Sequence, residues 1–160
     1  MKILGIDPGT ATTGFGIIEK NKSKLSVIDY GVISTQKELP MPSRLLIIFQ
    51  DIEEIIAKHQ PDLIAVEQLF FARNVTTALT VGQARGIVLL AGEKASLKLL
   101  EFTPLQVKQS VTGYGQATKK QVQIMVQKIL KMNILPKPDD AADALAIAIC
   151  ASAQSHNKIV

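Results

Sequence analysis

KILGIDPGTATTGFGIIEKNKSKLSVIDYGVIS, residues 2–34, reads as three strands in succession. Residues 2–7 form a short apolar strand, and the Asp-Pro-Gly-Thr that follows is a turn signal, in which Pro8 fixes φ and Gly9 permits φ > 0. Residues 14–19 and 25–34 supply two further strands, joined through the polar stretch 20–24. Links this short favour an antiparallel meander over crossover connections. Beyond it the period changes. Ser43, after Pro42, is placed to cap a helix running to about His59, with Leu45, Ile48, Ile52, Ile55 and Ile56 at helical spacing. Pro61 and Asp62 end that helix and lead into residues 63–67, continuously apolar before a terminal acid, as suits a central strand buried on both faces. Residues 74–94 predict a long helix carrying Gly82, Gly86 and Gly92. Each glycine costs a helix about 1 kcal/mol relative to alanine, which suggests close packing against a neighbour. A strand at 98–102, helices at 105–111 and 119–132 separated by Gly113-Tyr114-Gly115, and a last helix from Asp139 or Asp140 complete the chain. Strands and helices in this order predict an α/β fold with a mixed sheet.

The chain has 160 residues, enough for one domain, 1–160, that buries about 70% of its unfolded surface without staples. Residues 152–160 read as a flexible tail. The single cysteine, Cys150, lies in an apolar segment and suits a core role. The N-terminal run lacks the long apolar stretch and small-residue cleavage site of a signal peptide, and no apolar run reaches the roughly 20 residues of a membrane span. A soluble, cytoplasmic protein with no membrane partner is expected. The net charge is +4, but its distribution says more: between Lys94 and Lys137 there are eight lysines against one acid, Glu101. Such a face is either a solvated helix surface or a phosphate-binding patch.

The most informative acids cluster where the last helix begins. At about 100° per residue, Asp143 falls roughly 40° from Asp139 and roughly 60° from Asp140, so all three share one arc. The helix dipole and an N-cap explain one carboxylate there. Three so close repel unless a cation lies between them. Two more acids stand where apolar strands run out, Asp7 and Glu67, and strand ends are where α/β sheets present functional groups. Singly, Asp7 also reads as an Asx-turn residue and Glu67 as a solvated strand end. Together with Asp140 and Asp143 they make a four-carboxylate set suited to Mg²⁺ or Mn²⁺. Two such ions about 4 Å apart would support phosphodiester hydrolysis. Other chemistries lack parts: His59 and His156 have no obvious nucleophile or ligand partner, there is no Gly-x-Ser-x-Gly, Gly14-Phe15-Gly16 lacks a third glycine, and Glu93 follows Gly92 where a P-loop needs lysine.

GIDPGT at residues 5–10, AVEQLFFARN at 65–74, GQARG at 82–86, QVKQSVTGYG at 106–115 and DAADALAIA at 140–148 together resemble the RuvC family of bacterial Holliday junction endonucleases, in order and spacing over nearly the whole chain. The resemblance implies an RNase H-like fold, a five-stranded mixed sheet flanked by α-helices. It also implies a homodimer that resolves four-way junction DNA in recombination and repair by paired, symmetric nicks, working with a RuvA–RuvB branch-migration complex. It maps the catalytic, metal-binding carboxylates onto Asp7, Glu67, Asp140 and Asp143, with two Mg²⁺ ions per subunit for which Mn²⁺ can substitute. Asp139 falls outside that register and is left as a cap or outer charge. Lys119 becomes a catalytic and DNA-contacting residue, Lys108 a DNA contact and Lys120 a neighbouring one. Phe70 aligns with an aromatic that contacts bases near the crossover, while Phe71 beside it has no assigned role.

Three rivals share parts of this pattern. An RNase H-like enzyme that processes ribosomal RNA precursors uses similar carboxylates on another substrate. Actin-like ATPases also show Gly-Ile-Asp-x-Gly-Thr, but need two lobes where 160 residues supply one. A catalytically idle junction binder has no reason to hold four acids together.

Overall fold

The computed structural model describes residues 1–68 and 75–154. In chain order these form β1 (Lys2–Asp7), β2 (Thr12–Asn21), β3 (Lys24–Ser34), α1 (Met41–His59), β4 (Leu63–Glu67), α2 (Val75–Lys94), β5 (Lys98–Phe102), α3 (Pro104–Thr112), α4 (Lys119–Ile129) and α5 (Asp139–Gln154). The strands make one five-stranded sheet in the order β3-β2-β1-β4-β5. β1, β2 and β3 pair antiparallel as the expected meander, while β4 lies parallel to both β1 and β5. The mixed sheet follows from connection length, because short links reverse the chain and a helix is needed to return it in the same direction.

Alternation along the strands divides the core in two. Leu4 and Ile6 of β1, Ile17 of β2, and Ile64 and Val66 of β4 pack with Ile48 and Ile52 of α1 and with Val88 and Ala91 of α2. On the other face Ile3, Ile18, Leu63 and Ala65 meet α3, α4 and α5. Asp7 has the parity of Ile3 and Glu67 that of Leu63, so both terminal acids belong to the α5 face. The β1–β4 register pairs Ile6 with Val66, and one residue further on Asp7 and Glu67 leave the sheet side by side.

α5 is buried almost around its whole circumference, from Ala141 to Ser152 with Asp143 partly exposed. It lies on a floor of glycine. A Cβ at Gly5 would collide with the Ala144 carbonyl oxygen and come within 2.7 Å of the Ala148 nitrogen. One at Gly14, the β2 partner of Asp7, would run into the carbonyl of Asp140, and one at Gly16 would meet Leu145 at 2.8 Å. Small residues on both sides therefore let helix backbone touch strand backbone.

Several boundaries differ from the sequence expectation. α1 begins at Met41, with Pro40 in the cap position and Pro42 inside the first turn; it does not begin after a Ser43 cap. Proline fits there because its missing N–H faces no acceptor in a first turn. α4 stops at Ile129, three residues before Met132: Lys131 takes a left-handed φ of 53°, and the Met132 N–H donates back to the Gln127 carbonyl. α5 continues through Ser152, whose hydroxyl donates to the Ile149 carbonyl, to Gln154. Of the helical glycines, Gly92 does pack closely, against Ile64 of β4 at 3.1 Å, whereas Gly86 has nothing within 4 Å. Among the described residues no helix is long and apolar enough to cross a membrane.

Gly5→Ala tests the glycine floor. A methyl group driven into helix backbone cannot be relieved by a rotamer change, so the substitution should destabilise the fold by about 3 kcal/mol, the upper end for overpacking. Equilibrium unfolding in urea gives the value, and a midpoint equal to wild type would refute the close approach.

Candidate active site

Each charged group in the cleft is held by a locally determined element. Asp7 is the last residue of β1, and the turn after it is clasped by buried Thr13, whose hydroxyl donates to the Gly9 carbonyl at 2.6 Å. Glu67 ends β4, where the next residue keeps the ladder with β5 through Gln68 N–H donating to the Phe102 carbonyl. Asp140 and Asp143 lie in the opening turn and a quarter of α5, which starts as the Ala141 and Ala142 N–H groups donate to the Pro138 carbonyl. The two lysines come from helices with complete capping boxes: Thr103 and Gln106 start α3 ahead of Lys108, and Thr118 and Gln121 start α4 at Lys119.

These elements converge on a cavity of about 340 Å³ lined by Asp7, Glu67, Asp143, Lys108 and Lys119 over an apolar base that includes Val107, Val122 and Ala146. Asp140 is outside the lining, yet its charge reaches both Asp7 and Asp143. Lys119 Nζ donates to Asp143 Oδ2 at 3.2 Å. Lys120 is exposed beside it and does not line the cavity. Phe70 and Phe71 lie outside the described residues, as does His156. His59 sits at the end of α1 with Nε2 3.0 Å from Asp29 Oδ2, in a separate cleft.

The electrostatics of this cavity are those of a site with excess negative charge. Burial, followed by the charges of Glu67, Asp143 and Asp140, pushes the Asp7 carboxyl up to about 8, with Lys119 acting the other way. Burial, then Asp143, also raises Glu67, against the pull of Lys119 and Lys108. Asp143 is raised chiefly by burial, although Lys119 opposes this by charge and hydrogen bond. The same contact with Asp143 raises Lys119 and keeps it charged. An all-oxygen donor set under mutual repulsion fits a hard divalent cation. Among the described residues no three acidic, histidine or cysteine side chains gather tightly enough to cage an ion alone.

A family model described as crossover junction endodeoxyribonuclease RuvC matches residues 3–151. This chain belongs to the RuvC family. The RuvC of Halothermothrix orenii is 59% identical over 150 residues, covering 94% of this chain and 91% of that protein. The structure of Thermus thermophilus RuvC in complex with Holliday junction substrate superposes with a TM-score of 0.89 at 36% identity, covering 95% of this chain and 93% of the other. A yeast mitochondrial Holliday junction resolvase shares the fold, with a TM-score of 0.65 at 17% identity and coverage of 92% and 77%. The five-stranded mixed sheet is thus the RuvC, RNase H-like fold, and the chain is a crossover junction endodeoxyribonuclease, a Holliday junction resolvase.

Within this RuvC fold the residues singled out by sequence divide clearly. Asp7, Glu67, Asp143, Lys108 and Lys119 share one cavity, with Asp140 at its margin. Asp139 does something sequence reasoning missed: its Oδ1 accepts from Gln123 Nε2 at 2.6 Å, joining α5 to α4. A buried glutamine on an otherwise apolar helix face was the signal available. Thr13, buried behind the Asp7 turn, lay just ahead of the strand expected at 14–19, and the structure places it inside β2.

The displaced carboxyls set a pH dependence. Asp7 holds its proton in the fold up to about 8 but releases it near 3.8 when unfolded. Between those values the folded state binds more protons, so the metal-free protein loses stability as pH rises. Asp7→Asn should therefore raise the metal-free melting temperature by roughly 3 °C or more near pH 8 and by little near pH 4. Thermal unfolding across pH checks this; a gap independent of pH would contradict the repulsion.

Proposed function

We propose that the chain cuts four-way junction DNA by metal-dependent phosphodiester hydrolysis, nicking two strands symmetrically as a homodimer, with Asp7, Glu67, Asp140 and Asp143 as metal ligands. The observation that carries this reading is the convergence of Asp7, Glu67 and Asp143 with Lys108 and Lys119 in one cavity, where burial and acidic neighbours raise the Asp7 carboxyl. Two Mg²⁺ ions, or Mn²⁺ in their place, supply an activated water and charge neutralisation at the leaving oxygen when bound.

The chain's own residues do the rest. Asp7, at a strand end in the middle of the sheet, would hold the ions together with Glu67, Asp140 and Asp143. Ala141 and Ala142, both fully buried, let the first turn of α5 lie close against the sheet, and so bring Asp140 and Asp143 to the ends of the strands that carry Asp7 and Glu67. Lys119 neutralises charge developing on the scissile phosphate. Lys108 positions the strand, and Lys120, exposed at the N-terminal end of α4, adds a phosphate contact. Phe70 contacts unpaired bases near the crossover, by family resemblance.

The dimer reading has separate support on α2. Leu79, Gln83, Gly86 and Leu90 are all exposed and recur at helical spacing, with Leu79 66% and Leu90 55% accessible and open space beside Gly86. A flat apolar stripe of this kind fits an isologous two-fold contact. Two-fold symmetry matches that of a four-way junction and gives each of two equivalent strands one site. The RuvA–RuvB branch-migration complex is the partner that family resemblance implies.

A synthetic four-way junction and a linear duplex, each incubated with and without Mg²⁺, test the activity. Symmetric nicks in the junction alone are expected, and equal cutting of both substrates would defeat the junction specificity. Asp7→Asn and Asp143→Asn should each abolish cutting and retain junction binding, while Lys119→Ala should slow the chemical step by about 100-fold. Loss of binding in both aspartate variants would mean a structural role instead. Leu90→Lys should convert the dimer to monomer by light scattering and uncouple the paired nicks.

A further inference from the structure

The beginnings of α4 and α5 face each other and are tied by two successive rungs. Lys119 Nζ donates to Asp143 Oδ2 at 3.2 Å, and Gln123 Nε2 donates to Asp139 Oδ1 at 2.6 Å. Lys119 and Gln123 are four residues apart on one helix, Asp139 and Asp143 four apart on the other, and the pairing runs in opposite senses. The helices are therefore locally antiparallel, with rungs one turn, about 6 Å, apart.

The rungs differ in what they can fix. The Lys119 side chain is 69% exposed, and a solvated pair on a long flexible stem constrains little. Gln123 is buried, and its acceptor is the carboxylate of Asp139, a residue exposed at the start of α5, so the bond is charge-assisted and leaving it unmade strands the buried Gln123 amide. The remaining contacts of α4 with the core are apolar, through Val122 and Val126. Apolar packing sets the distance between two helices but only weakly their relative slide and rotation, because it is non-directional. A short directional bond one turn below Lys119 removes that freedom.

We propose that the Gln123–Asp139 bond pins the register of α4 against α5 and so sets where the Lys119 ammonium stands relative to Asp143 and the reacting phosphate, making Gln123 and Asp139 positioning residues for cleavage. This rests on the role given above to Lys119. It also changes the part expected of Asp139, from a helix cap or outer charge to one half of a strut between the helix that brings the base and the helix that brings the acids.

Single-turnover junction cleavage in Mg²⁺ tests the strut. Gln123→Leu, which keeps side-chain bulk and removes the donor, should slow cutting by about 10- to 100-fold, the scale of a small misplacement of a catalytic group. Metal-free junction affinity should not change. In a Lys119→Ala background the same substitution should add almost no further loss, since its effect passes through Lys119. Asp139→Asn, which keeps an acceptor oxygen but not the charge, should recover most of the rate lost in Asp139→Ala. In the metal-free protein the Lys119 ammonium resonance should move toward that of a free lysine in Gln123→Leu. Gln123→Glu, which sets carboxylate against carboxylate at unchanged length, should give the same loss and serves if Gln123→Leu does not fold. Gln123→Leu at the wild-type rate, an equal loss with and without Lys119, or Asp139→Asn as slow as Asp139→Ala would each overturn the proposal. Lys119→Ala at the wild-type rate would overturn the role of Lys119 itself and the proposal with it, whereas a slow Lys119→Ala beside a normal Gln123→Leu overturns the strut alone.

Discussion

Where side chains would stand at residues 5, 14 and 16, the backbone of α5 and the side chain of Leu145 lie instead. Every other property of the cleft depends on that approach. A helix resting on ordinary strand side chains stands about 10 Å from the sheet, a spacing set by side-chain bulk. Here glycines below and alanines above bring the two backbones into contact, and Asp140 sits directly over the β2 partner of Asp7. The acids are close because the main chain is close, not because long side chains reach toward one another. Short aspartates on rigid elements are also the right choice for a precise site, having few torsions to fix.

That closeness has an energetic cost that the fold must absorb. Asp7 is buried among three other acids with two lysines as counter-charges, a combination that cannot be optimal for stability in the absence of bound cation. The lysines sit on α3 and α4, each started by a full capping box and anchored by Val107, Val111, Val122 and Val126 in the core. The sheet and α5 thus hold the acids, and a separately anchored helix pair holds the bases. Strain is concentrated where chemistry is done and compensated by an apolar core on both faces of the sheet.

Much of this was legible before the structure. Apolar strands that run out at Asp7 and Glu67 placed both acids at strand ends, but that they share one face depends on the β1–β4 register, which only the structure supplies. The meander and the buried central strand followed from link length and from a continuous apolar run. Helical geometry could not choose Asp140 over Asp139, because both fall within one arc of Asp143; that choice came from family register. In the structure the Asp139 carboxylate accepts a hydrogen bond from Gln123. That bond was invisible to sequence because its two ends are sixteen residues apart on helices whose facing sides are fixed only by tertiary packing. The start of α1 was misplaced for a different reason: proline is as acceptable inside a first turn as ahead of a cap, and Met41-Pro42-Ser43 allows both readings.

The order in which the acids occur along the chain has a consequence for the cell that makes this enzyme. Asp7 and Glu67 belong to strands made early, but Asp140 and Asp143 belong to the last element, and the glycine floor stays bare until that element arrives. A ribosome-bound chain that has not yet released α5 has an unfilled core face and half a set of acids. Completing the core on this face and bringing the four acids together are therefore one event in folding, since both wait on α5.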